Sequence, residues 1–171
     1  MKQLYLHGLG QDRNSWSETL ANMSTSDNAI PVDLVGLLNG KVATYENIYA
    51  TFSEQCNKEE QFDLCGISLG GVLALNYAID HPQKVHSLVL IAAQYKMPKI
   101  LLRIQNLIFK FIPDSKFEST GFNKANFIQL CKTMIKLDFT NDISRIICPT
   151  LILCGEDDKA NIKASISLSK K

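Results

Sequence analysis

Phe62-Asp63-Leu64-Cys65-Gly66-Ile67-Ser68-Leu69-Gly70-Gly71 carries a short apolar stretch into a Gly-x-Ser-x-Gly core, and the helix-forming run Val72-Leu73-Ala74-Leu75-Asn76-Tyr77-Ala78 follows it. A serine between two glycines at a strand-to-helix junction has the shape of a nucleophile elbow. Such a serine stands on a tight turn with strained backbone angles, where flanking side chains would clash, and Gly66 and Gly70 remove that bulk. The following helix aims its first N–H groups at the reacting centre, where negative charge develops.

Outward from the elbow, short strands alternate with helical patterns. Leu4-Tyr5-Leu6 is a strand ending in His7-Gly8-Leu9-Gly10, and a helix follows Trp16 with Ser15 or Ser17 as its expected cap. Ala29 to Gly36 reads as a second strand with its exit turn. Thr44 caps a helix reaching Cys56, with Tyr45, Ile48, Tyr49 and Phe52 at helical spacing. His81-Pro82 closes the helix after the elbow, and the apolar run Val85 to Ala92 suits a strand buried on both faces. Residues 96–142 break this rhythm with a helix from about Lys99 to Phe111, punctuation at Pro113 and Gly121, and a second helix from Asn126 to Lys136. Leu151 to Cys154 returns to a buried strand that closes in Gly155-Glu156-Asp157-Asp158, before a final helix. Alternation of this kind predicts an α/β fold with a parallel sheet and an all-helical insertion before the last strand.

The 171 residues are 46% hydrophobic with net charge +1, enough for one globular core. No leader or membrane-length apolar run is present, so a cytoplasmic protein without stable membrane insertion is expected. Five scattered cysteines form no disulfide framework and no zinc ligand set. Residues 1–95 are acidic, whereas residues 96–136 hold eight Lys/Arg against only Asp114 and Glu118. That basic segment suits a solvated face above an acidic body; an anionic substrate or a membrane surface is the other reading. Gly8 and Gly10 lack the dinucleotide fingerprint, and there is no aromatic-basic nucleic-acid signature.

In its order of motifs the chain resembles the α/β-hydrolase fold family: His7-Gly8-Leu9-Gly10 after the first strand, then Gly66-Ile67-Ser68-Leu69-Gly70, then Gly155-Glu156-Asp157-Asp158 after a late strand. The resemblance implies a hydrolase core in residues 1–95, a helical lid in 96–142 and an incomplete remainder of the core in 143–171. It implies Ser68 as nucleophile, with the backbone N–H groups of Leu9 and Leu69 as an oxyanion hole worth about 3 kcal/mol of barrier per donor. Asp158 is the implied acid, with Asp157 its rival. The implied reaction is hydrolysis of a small ester, thioester or related carbonyl compound without a cofactor. A lid forming the acyl pocket would draw on Met97, Leu101, Leu102, Ile108, Phe109 or Phe111. These same residues would equally serve to pack the lid onto the body.

The general base is the difficulty, because a serine hydroxyl needs one near neutral pH. His86 opens its strand, more than about 10 Å from the carboxyl end at roughly 3.3 Å per residue. His81 sits at the far end of the elbow helix. His7 lies at the correct end of the sheet, but belongs to the His-Gly turn and is expected to shape it by hydrogen bonding. The resemblance places the base after the acid, beyond one more helix and strand, and this sequence ends inside that helix. The expectation is a chain truncated at its C-terminus, with the catalytic histidine missing; an inactive binding protein, or one borrowing a histidine from a partner, is the alternative. Loss of a last strand would also expose an apolar sheet edge through which the chain dimerises.

Overall fold

The computed structural model describes residues 1–23, 26–117 and 122–171, without the side chains of Ser26 and Leu101. Gly121, expected as a break point, lies outside the described residues. Five strands form one parallel sheet: β1 (Gln3–Leu6), β2 (Ala29–Val32), β3 (Phe62–Ile67), β4 (Val85–Ile91) and β5 (Thr150–Leu153), in the order β2-β1-β3-β4-β5. Leu4 registers with Leu64, Leu64 with Leu88, and Leu90 with Ile152. Parallel strands need crossovers, and helices supply them. These are α1 (Ser17–Ala21), α2 (Tyr45–Cys56), α3 (Leu69–Asp80), α4 (Lys99–Phe111), α5 (Lys124–Met134) and α6 (Ile162–Leu168).

Helix α3 is the axis of the core. Every residue from Leu69 to Ile79 except Asn76 is buried, and Leu73, Ala74, Leu75 and Tyr77 have no solvent contact. A helix that is hydrophobic all round is a buried one. Tyr77 packs edge-on against Phe52 of α2 at 5.5 Å and tilts over Phe62 of β3 at 5.6 Å. Helix α2 begins as expected, with the Thr44 hydroxyl accepting the Asn47 N–H at 3.1 Å.

Several local expectations are corrected. The chain before α1 is capped by Asp12, whose carboxylate accepts the Asn14 N–H while Ser15 Oγ accepts from the Asp12 N–H. A carboxylate one turn earlier therefore replaces the serine cap. Helix α5 starts at Lys124, two residues early, because the Asn123 side chain caps it through the Asn126 N–H. Strand β5 is not buried: Leu151 is 53% and Leu153 43% exposed, since β5 pairs only with β4 and forms the sheet's edge among the described residues. Strand β4 alternates buried and half-exposed positions, with His86 facing solvent.

The helices of residues 96–142 are tied to the body beside the exit of β4. Lys96 bridges Asp138 both as an isolated backbone pair and as a 2.9 Å ion pair, and the Phe139 N–H donates to the Tyr95 carbonyl at 2.8 Å. Phe109, Phe117 and Phe127 form an edge-on aromatic cluster between α4 and α5 with ring centroids 5.0–5.9 Å apart. Helix α4 exposes Lys99, Arg103 and Lys110, and beside them an apolar stripe. Ile100, Ile104, Leu107, Ile108 and Phe111 all point to solvent.

Candidate active site

Ser68 joins β3 to α3 with φ 51° and ψ −113°, a left-handed conformation that a residue with a Cβ adopts only under constraint. The constraint is backbone crowding. A Cβ on Gly66 would stand 2.4 Å from the Gly70 carbonyl oxygen, and one on Gly70 would stand 2.3 Å from that of Leu6. Both glycines are therefore demanded by close approach, as the motif implied. Two backbone hydrogen bonds clamp the serine itself: its N–H donates to Ile91 O, and its carbonyl accepts the Val72 N–H, each at 2.9 Å.

The loop after β1 meets this elbow. A Cβ built at Gly8 would lie 3.4 Å from the Ser68 Cβ, which brings Leu9 beside the serine. His7, fully buried, shapes that loop. Its Nε2 accepts the Leu34 N–H at 3.2 Å, which leaves Nδ1 protonated to donate to Gly8 O at 2.9 Å. Gln11 adds a 2.8 Å acceptor for the Gly8 N–H. Among the described residues, neither the Leu9 N–H nor the Leu69 N–H is engaged by another group. Leu69 is also the first residue of α3, where the helix dipole is positive.

A cavity of about 220 Å³ opens onto Ser68. Leu9, Leu69, Val72, Met97, Leu102, Phe127 and Met134 give it apolar walls, with Gln94, Gln105 and Asn161 as polar points. Of the residues expected to form an acyl pocket, Met97 and Leu102 line it. Phe109 does not; it is held in the aromatic cluster with Phe117 and Phe127. Ile108 and Phe111 face solvent, and the Leu101 side chain lies outside the described residues. Cys131 also lines the cavity, but burial pushes its thiol up to about 12, so it is not an activated thiol. Ala92 borders the same cavity at φ 49°, its N–H donating to Leu153 O at 2.8 Å.

Asp158 lies in the turn after β5, at the same end of the sheet. Its carboxylate is occupied by one neighbour: Oδ1 accepts the Asn161 N–H at 3.1 Å and Oδ2 the Asn161 side-chain amide at 2.8 Å. Asn161 Oδ1 accepts in turn from Gln94 Nε2 at 2.7 Å. Asp157 is exposed. The two remaining histidines have partners away from Ser68: His81 contacts Ser53 Oγ at 3.2 Å, and His86 contacts Asp63 at 2.9 Å. The amide relay Asp158–Asn161–Gln94 escaped sequence reading, because it depends on a turn meeting the exit of β4. A larger recess of about 460 Å³ between α3, β5 and α6 shares no lining residue with the Ser68 cavity and carries no acid or histidine. Among the described residues no His, Cys, Asp or Glu cluster is placed to hold a metal ion, and no helix is long and apolar enough to cross a membrane.

Comparison with known proteins agrees with this fold. Residues 4–120 match the model of a family described as alpha/beta hydrolase fold. A stretch of 97 residues is 31% identical to a pimeloyl-[acyl-carrier protein] methyl ester esterase of Aeromonas hydrophila, covering 52% of this chain and 36% of that protein. Among solved structures, a hydrolase from Pseudomonas aeruginosa superposes with TM-score 0.81 at 15% identity, over 98% of this chain and 77% of that one. An enol-lactonase from Burkholderia xenovorans gives 0.77 at 16%, over 98% and 78%. A thermophilic esterase from Thermogutta terrifontis gives 0.76 at 20%, over 99% and 77%. At such identities these structures show the fold, and this chain is shorter than each of them.

Proposed function

This chain belongs to the alpha/beta hydrolase fold family, and we propose that it works there as a serine esterase acting on small esters, thioesters or related carbonyl compounds. The observation that carries the reading is Ser68 itself, held at φ 51° on the first turn of α3 and opening into an apolar cavity. In the proposed reaction Ser68 Oγ attacks the substrate carbonyl carbon, and the oxygen that becomes negative faces the free N–H groups of Leu9 and Leu69. The alcohol or thiol leaves with a proton, and water then releases the acid from the serine. A 220 Å³ space is below the usual range for drug-sized ligands, which favours a short acyl group. Helices α4 and α5 act as a lid, with Met97 and Leu102 forming part of the acyl wall.

Asp158 is the acid of the proposed set, and none of the three histidines serves as its partner. His7 spends both ring nitrogens on Leu34 and Gly8, while His81 and His86 bond to Ser53 and Asp63. The same facts favour a second reading, a binding protein that keeps the cavity but does not turn over. Labelling by a fluorophosphonate probe, followed by p-nitrophenyl acetate hydrolysis, separates the two. The esterase reading expects labelling that Ser68→Ala abolishes and that His81→Gln and His86→Gln leave in place. Labelling that survives Ser68→Ala would overturn it. A melting temperature raised by ester ligands, with Ser68 unlabelled, would establish the binding protein.

A further inference from the structure

Helix α4 turns more apolar surface to solvent than a helix that only packs on a protein body. Its inward positions are Leu102, Gln105, Asn106 and Phe109, and its outward ones are Ile100, Ile104, Leu107, Ile108 and Phe111. Asn106 is buried, and its Oδ1 has no hydrogen-bond partner among the described residues. Outside, Ile100 is 75% and Phe111 81% exposed. Such a stripe in water loses the burial free energy that a large apolar side chain ordinarily contributes.

We propose that this outer face of α4 seats on an anionic lipid surface. At about 100° per residue, the five exposed apolar residues fill one arc of roughly 100°, and Lys99, Arg103 and Lys110 fill an adjoining arc of about 40°. All three cations are exposed and the helix holds no acid. An apolar arc flanked by cations is the pattern of a helix lying in the plane of an interface, with its side chains in the acyl boundary and its cations among the phosphates. At thirteen residues α4 is about 20 Å long, too short to cross a bilayer but suited to lie along one. The rest of the molecule is complementary. Residues 1–95 hold ten Asp/Glu against five Lys/Arg, so an anionic surface attracts α4 while that part of the chain is repelled. A second copy fits less well, because two such faces meeting symmetrically bring the cationic arcs of both helices into one interface. The inference is independent of what Ser68 does.

Vesicle sedimentation of the full chain tests it, with phosphatidylcholine vesicles compared with phosphatidylcholine–phosphatidylglycerol vesicles. Binding is expected only to the second kind, falling as salt rises. Ile104→Ser and Phe111→Ser should each raise the half-binding lipid concentration about tenfold, and Lys99→Glu, Arg103→Glu and Lys110→Glu about fivefold or more each. All five positions are exposed, so far-UV circular dichroism should be unchanged. Hydrogen exchange with vesicles present should slow between Lys99 and Phe111. Absence of binding to anionic vesicles, undiminished binding by the Ile104→Ser/Phe111→Ser double variant, or protection elsewhere would overturn the proposal. So would a lipid-free dimer that Phe111→Ser dissociates, since a second copy would then be the occupant.

Discussion

A methyl group added at Gly70 would meet the Leu6 carbonyl oxygen at 2.3 Å, whereas one added at Gly155 would meet nothing within 4 Å. Both glycines belong to motifs that flank the candidate site, the first within the elbow and the second before the acid turn. Around Ser68 every element is fixed by backbone contact with another: β1 against α3, α3 against β3, and the loop after β1 against the serine. Around Asp158 the chain ends an exposed edge strand, and the carboxylate is held by local hydrogen bonds to Asn161 alone. The elbow is thus shaped by the whole core, and the acid turn largely by itself. A serine at a strained φ needs the first kind of support, because only a packed surround keeps such a backbone from relaxing.

The comparison breaks most visibly at Gly70. Gly70→Ala should cost more than about 4 kcal/mol, because the clash is with backbone that has no room to shift. Gly155→Ala should stay within about 0.5 kcal/mol. Soluble yield and chemical denaturation would show the contrast, and a folded, stable Gly70→Ala chain would refute it. Next in size, Leu64→Ala in β3 should cost about 2–5 kcal/mol, since that side chain is 1% exposed. Leu153→Ala on β5 should cost less than about 1 kcal/mol. Equal losses at the two positions would mean that β5 is covered in solution.

Smaller again, Asp158→Ala should remove about 1 kcal/mol by freeing the Asn161 amides, and Asp158→Asn less than that. Smallest is the tie at Asp138. The Thr140 hydroxyl and the Lys96 ammonium hold its carboxyl down at about 2. A folded value below the usual 3.8 means this carboxylate favours the fold above that pH. The benefit is lost as pH falls through about 2. A carbon-detected NMR titration of Asp138 should place its midpoint there, and Lys96→Ala should move it upward.

The parallel α/β order, the elbow and the Thr44 cap were all legible in the sequence because each is written in local pattern. So was the role of His7, since a histidine in a His-Gly turn has backbone groups within reach on both sides. What escaped reading is directional. The residues of α4 announce an amphipathic helix, but periodicity does not say which face meets the body, and a broad apolar stripe turned outward while Gln105 and Asn106 turned inward. Phe109 was expected at the cavity wall; it pairs instead with Phe117 and Phe127, the second of them on the next long helix. The run Leu151 to Cys154 has the composition of a buried strand, yet burial depends on what lies beside it. Asp12 capped its helix in place of two plausible serines because a carboxylate stood one turn earlier.

Asn39, Ser68 and Ala92 are the non-glycine residues at positive φ among those described, and two of the three border one cavity. Each such backbone stores about 1–3 kcal/mol that a glycine would release, less the entropy a glycine adds to the unfolded chain. Heat resistance and cavity shape therefore pull in opposite directions at these two positions. A directed-evolution screen rewarding thermal survival alone would gather Ser68→Gly and Ala92→Gly, and its most robust winners would be those with the least defined pocket.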